Sequence, residues 1–259
     1  MADLVETHAA AISEIESMDV GKPLSQAQGD IEDFSATARY YADLSTRLAI
    51  ANRLTWLATK RDRCISPTEP APLFSLGIFR FSWWGGAFSL RLRQNTVVIK
   101  PAEDTPLSTL YLMDLVRQSG IPDGVVNVIT GYGEITGAAL ASHPGISRMS
   151  FTGSPEVGRL VAQSCGYNLV PVKLELGGKG AAVVFDDVDV PATAKALAQA
   201  ITLNTGQVCC TASRWLIQDH IYDSFVDAAV REMSSIRIGY GRDPETQMGP
   251  VVGKNARAF

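Results

Sequence analysis

Leu4, Val5, Ala9, Ile12 and Ile15 recur at helical spacing, and Ile31, Phe34, Ala38 and Tyr41 repeat the pattern beyond Gly21-Lys22-Pro23. Such spacing lines up apolar side chains on one helix face, and glycine followed closely by proline interrupts a helix. The chain is therefore predicted to open on two amphipathic helices with a break at 21–23. From Asn95 onward the period changes, and short β-branched runs alternate with helical stretches: 96–99 then 108–118, 125–129 then 134–142, 149–151 then 155–164. Alternation of this kind predicts βαβ units around a parallel sheet. Gly120-Ile121-Pro122-Asp123-Gly124 closes one helix and Gly131-Tyr132-Gly133 opens the next. A second tier follows, with strand-like 181–185 and 215–218 and helical 191–203 and 221–236. The expected fold class is α/β, a doubly wound parallel sheet followed by a second α/β unit.

A length of 259 residues accommodates one large domain or two modest ones. With 46% apolar and 19% charged residues the composition is globular, and a net charge of −4 gives no electrostatic reason for nucleic acid or anionic membrane as a partner. Met1-Ala2-Asp3-Leu4-Val5-Glu6 is acidic where a leader peptide would be basic, and no window approaches the roughly 20 apolar residues of a membrane span. These features predict a cytoplasmic protein. Cys64, Cys165, Cys209 and Cys210 lack zinc-site spacing, and His8, His143 and His220 are scattered, so no metal site is expected. A disulfide between adjacent Cys209 and Cys210 would be a strained ring, and free thiols are expected.

The strongest chemical signal is a carboxylate and a thiol. Glu175-Leu176-Gly177-Gly178-Lys179 precedes Gly206-Gln207-Val208-Cys209, with 34 positions from Glu175 to Cys209. A thiolate can add to an aldehyde carbonyl, and a nearby carboxylate can later activate water against the thioester. Gly153-Ser154 follows the strand at 149–151 and precedes a helix with Pro155 in its first turn, a place where backbone donors can meet phosphate. Taken alone, that turn also reads as an ordinary strand-to-helix connection. Lys100 and Glu103 lie just past their strand, where a cation and a carboxylate can hydrogen-bond two ribose hydroxyls; outside such a context they read as a solvated pair.

In this order and spacing, Asn95-Thr96-Val97-Val98-Ile99-Lys100-Pro101-Ala102-Glu103, Phe151-Thr152-Gly153-Ser154-Pro155-Glu156-Val157-Gly158 and the two words around Glu175 and Cys209 resemble the aldehyde dehydrogenase superfamily. The likeness runs nearly without gaps from Asn95 to about Val252, with a weaker stretch from Met1 to Leu44. It implies Cys209 as nucleophile and Glu175 as the carboxylate that helps water cleave the thioester after hydride has passed to the nicotinamide. It implies Lys100, Glu103, Gly133, Gly153, Ser154 and Gly158 as binding residues for NAD or NADP, and a small aldehyde as substrate. It also implies a dinucleotide-binding domain over 1–178 and the start of a catalytic domain over 179–259. Phe185-Asp186-Asp187-Val188-Asp189 and Gly249-Pro250-Val251-Val252 look like the betaine-aldehyde and aminoaldehyde branch.

One family word is missing. Where Pro-Trp-Asn-Phe-Pro belongs, the chain reads Leu73-Phe74-Ser75-Leu76-Gly77-Ile78-Phe79-Arg80-Phe81-Ser82-Trp83-Trp84-Gly85-Gly86. Codons for these residues, read from the third base, are compatible with the family word, which points to a frameshift in the gene or its reading within 63–94. Relative to complete members, an N-terminal portion, the later half of the catalytic domain and the strand used in homo-oligomers are also expected to be missing. The competing reading is an inactive remnant that binds dinucleotide or a partner without turnover.

Overall fold

The computed structural model describes residues 1–59, 71–75 and 96–253. Helices α1 (Ala2–Thr7), α2 (Ala9–Val20) and α3 (Leu24–Thr59) come first. The expected break falls at Gly21, whose φ of 90° caps α2 in the left-handed conformation that glycine adopts freely. Val5, Ile12, Ile31 and Phe34 are buried against Val97, Ile99, Leu112 and Leu115, so the apolar stripes of the opening helices cover one face of the sheet. Fully burying each such side chain contributes about 1.5–3 kcal/mol.

The main sheet has five parallel strands in the order β3-β2-β1-β4-β5: β1 (Ala71–Ser75), β2 (Val97–Pro101), β3 (Val126–Val128), β4 (Met149–Gly153) and β5 (Val172–Leu176). The chain reverses its direction of winding between β1 and β4, as a doubly wound sheet does. Helix α4 (Leu107–Gln118) follows β2; a π-helical turn at Gly133–Gly137 and α5 (Ala138–Ser142) follow β3; α6 (Pro155–Tyr167) follows β4. Ala141, Met149, Phe151, Val161 and Cys165 form a second core on this half of the sheet. A separate pair of parallel strands, β6 (Gly180–Val184) and β7 (Ala212–Ile217), packs with α7 (Val190–Thr202) and α8 (Tyr222–Ser234) around Val184, Ala194 and Phe225.

The predicted elements from Asn95 onward are present with ends shifted by at most three residues. Two strands escaped the pattern reading. β5 alternates apolar and charged residues and carries the Glu-Leu word itself, while β1 falls in the segment read as frameshifted. The rest of that segment, including the site of the missing Pro-Trp-Asn-Phe-Pro word, lies outside the described residues.

Candidate functional site

The carboxyl ends of β2 and β4 flank β1, and a cavity of about 460 Å³ opens there between the β2–α4 turn, the Gly133–Gly137 turn and α6. In sheets of this type, the crevice beyond the strand ends at the switch in winding is where ligands lie. Lys100, Glu103, Gly133 and Ser154 all line it. Gly153 and Gly158 stand behind that lining. Gly153 pairs with Leu176 at the end of β4, and a Cβ added at Gly158 would come within 2.7 Å of Leu176 Cδ2, so this glycine lets α6 approach β5 closely.

Lys100 is nearly fully buried, 3% exposed, at the end of an otherwise apolar strand. Its Nζ donates to the Pro101 carbonyl at 2.9 Å and to Glu103 Oε2 at 3.1 Å. Glu103 Oε1 accepts from the Gly133 amide at 3.3 Å, which joins the β2 end to the Gly133 turn. Burial pushes the Glu103 carboxyl up, but its own backbone amide, Lys100 and Gly133 outweigh that and hold it below the ordinary carboxylate value. Ser154 is the N-cap of α6, its hydroxyl accepting from the Val157 amide at 3.2 Å with Pro155 in the first turn. On the cavity side of α6, Val157 and Leu160 are exposed apolar residues, and Phe151 and Val161 continue the wall.

Strand pairing brings together the segments that carry the thiol and the carboxylate. β6 and β7 run parallel with Gly180 opposite Ala212, so the segments that enter them lie side by side. Glu175 is five residues before Gly180 and Cys209 three before Ala212. A Cβ built on Gly178 would stand 3.9 Å from the Cys209 carbonyl oxygen, which places the Gly-Gly bend against the Cys209 segment. Segments about 30 residues apart in sequence are thus neighbours in space.

The environment of this thiol is not that of a pre-ionised nucleophile. Burial pushes the Cys209 thiol above its ordinary value, and Cys210 and the Glu175 charge push in the same direction, while its own backbone amide opposes them. Cys210 is exposed, Cys209 half-buried, and Cys165 fully buried with its thiol raised by desolvation. Glu175, on β5, forms an ion pair with Lys173 at 2.9 Å. Residues two apart on a strand share a face, so Lys173 belongs to the carboxylate's surroundings, a relation that sequence reasoning missed. The signal was available as a Lys-x-Glu alternation, but nothing in the pattern distinguished it from an ordinary solvent face.

The sequence model of the aldehyde dehydrogenase family matches residues 1–259. Retinal dehydrogenase 2 of Taeniopygia guttata is 38% identical over 259 residues, covering 98% of this chain and 50% of that protein. Among solved structures, an aldehyde dehydrogenase from Bacillus cereus in complex with NAD+ has a TM-score of 0.88 at 31% identity, with 99% of this chain and 53% of that one covered. PnpE from Pseudomonas sp. WBC-3, in complex with nicotinamide adenine dinucleotide, has a TM-score of 0.87 at 33% identity, covering 99% and 53%. The fold is α/β, and the chain belongs to the aldehyde dehydrogenase family. It spans about half the length of the relatives it matches. No helix among the described residues is long and apolar enough to cross a membrane.

Proposed function

We propose that this site carries out NAD(P)-dependent oxidation of an aldehyde to a carboxylic acid, with Cys209 as nucleophile and Glu175 as the carboxylate that activates water. The carrying observation is the parallel pairing of β6 with β7, with Gly180 opposite Ala212, and the approach of Gly178 to Cys209, which set the Cys209 segment against the bend after Glu175. The cofactor's place is the cavity at the ends of β2 and β4. Lys100 and Glu103 offer a donor and an acceptor suited to ribose hydroxyls, the α6 N-terminus with Ser154 offers donors to a pyrophosphate, and Val157 and Leu160 offer an apolar wall to a purine. When bound, the nicotinamide supplies the hydride acceptor.

The thiol's raised value means that Cys209 is mostly protonated at neutral pH. Attack on the carbonyl therefore requires transfer of the thiol proton, and Glu175 is the adjacent acceptor. Once that proton has passed to solvent, the same carboxylate can take a proton from water as that water attacks the thioester; the C–S bond breaks, the acid leaves, and the Cys209 sulfur recovers a proton to return to the thiol. The Cys209 backbone N–H is an oxyanion donor in this reading. Residues 1–178 are read as the dinucleotide-binding part and 179–259 as the beginning of the catalytic part, a division supported by the change of sheet between Leu176 and Gly180.

A second reading has its own support. The sequence lacks the asparagine word expected to supply the other oxyanion donor, and loss of one such donor lowers rates by about 100- to 1000-fold. On that reading the chain binds dinucleotide and turns over slowly or not at all. Calorimetric titration with NAD and NADP, paired with NADH or NADPH formation from a panel of small aldehydes that includes betaine aldehyde, separates the two. Reduced cofactor that disappears in Cys209→Ala supports the enzyme; binding with no turnover supports the remnant; absence of binding overturns both.

A further inference from the structure

Asn204, Thr205 and Gly206 leave α7 in three consecutive left-handed conformations, with φ of 48°, 60° and 76°. Glycine adopts such angles freely and asparagine tolerates them, but a β-branched threonine is an outlier there. A turn of this kind persists only where its surroundings over-determine it. Here the surroundings come from distant parts of the chain. The side-chain oxygen of Gln26, in the first turn of α3, accepts from the Asn204 amide at 2.9 Å, across 178 positions of sequence. Thr205 Oγ1 donates to the Gly249 carbonyl at 3.1 Å, the Val252 amide donates to Gln207 Oε1 at 3.0 Å, and Gln207 Nε2 returns to the Asn204 carbonyl at 3.1 Å. The 249–252 segment in turn sits on the α2–α3 corner, where a Cβ on Gly249 would meet the Gly21 carbonyl oxygen at 1.8 Å. Both anchors of the turn therefore rest on the opening helices, and the chain reaches Cys209 only three residues after Gly206.

We infer that Gln26 is a positioning residue for the nucleophile: its carboxamide oxygen fixes the left-handed turn before Cys209 and so sets where the thiol stands relative to Glu175. The inference rests on the reading of Cys209 and Glu175 given above. It assigns to an N-terminal helix, far from the chemistry in sequence, a direct part in the geometry of the thiol. Relaxation of the turn would carry the thiol out of its half-buried place and away from the Glu175 charge.

The test is a coupling measurement on the full chain. The pH dependence of iodoacetamide labelling, resolved between Cys209 and Cys210 by tandem mass spectrometry, is recorded with and without Glu175→Gln in three backgrounds: unmodified, Gln26→Met and Gln26→Glu. In the unmodified background Glu175→Gln is expected to lower the Cys209 midpoint. In Gln26→Met, which keeps the side chain's length but loses the acceptor, that response should shrink by half or more, with the midpoint itself falling toward that of an ordinary thiol. Gln26→Glu, which keeps an acceptor, should restore the response. Loss of packing alone would not be rescued by a carboxylate at the same place. If Glu175→Gln does not move Cys209 in the unmodified background, the thiol–carboxylate reading fails and the inference with it. A response equally large in Gln26→Met leaves that reading standing and overturns the role of Gln26. Should Gln26→Met not fold, amide hydrogen exchange on the unmodified chain decides. Protection of the Asn204 amide by about 100-fold or more over an unstructured amide is expected, and exchange at the unstructured rate overturns the inference.

Discussion

Cys209 shows how little of a thiol's reactivity is contained in its motif. Gly-Gln-Val-Cys and Glu-Leu-Gly-Gly-Lys were legible as words, because their residue types and spacing survive without knowledge of the fold. The thiol's ionisation was not, because it depends on burial and on neighbours that the fold supplies. With burial, Cys210 and Glu175 all favouring the neutral form, labelling of Cys209 should rise only above the ordinary thiol value of 9.0. Glu175→Gln removes a negative neighbour and should move that rise to lower pH. Lys173→Met removes the cation that partly neutralises Glu175 and should move it to higher pH. Lys173 is about half exposed, so water screens this pair and the second shift should be the smaller. Alkylation rates measured from pH 7 to 11 check both signs. Movement of the midpoint in the same direction by the two substitutions would contradict the ion pair's place beside the thiol.

Between α2 and α3, periodicity correctly predicted the apolar stripe but not what is buried beside it. Lys22 is 2% exposed, with Nζ 3.4 Å from Glu16 Oε1, and it also forms a short ion pair with Asp30. Burial pushes the Asp30 carboxyl up in spite of Lys22. An apolar-pattern reading assigns Glu16 and Lys22 to solvent, since charged residues are rarely fully buried unless paired, and the pairing is a tertiary fact. Removing the cation would strand two carboxylates, so Lys22→Met should cost about 3–5 kcal/mol in urea unfolding. A cost within experimental error of zero would mean that the charges are hydrated in solution. The same corner carries Gly249, where an added methyl group would collide with the Gly21 backbone oxygen. Gly249→Ala should therefore cost about 1–3 kcal/mol or more, since backbone on both sides leaves little room for relief. Strand β5 escaped sequence reading for a different reason. Val172, Leu174 and Leu176 alternate with charges over only five residues, and a run so short gives a weak period beside a prominent motif.

At the scale of the whole molecule, among the described residues, the helices from Leu107 onward and all but two strands were legible from period and punctuation, whereas the first expected helix is two, parting at His8, and the approach of the Gly178 bend to the Cys209 segment required a strand pairing that no local pattern encodes. That arrangement also leaves one consequence for the protein in solution. Among the described strands, β5 lies at one margin of the five-stranded sheet, paired with β4 on one side only. A strand margin is a template for another chain, and charged side chains are a common guard against such recruitment. Lys173 and Glu175 are the charges β5 carries, so the carboxylate proposed to activate water is also one of the two charges at this margin. Glu175→Ala should then raise light scattering on concentration or mild heating well beyond Cys209→Ala, although both remove a residue of the proposed site. Equal scattering from the two variants would assign Glu175 to chemistry alone.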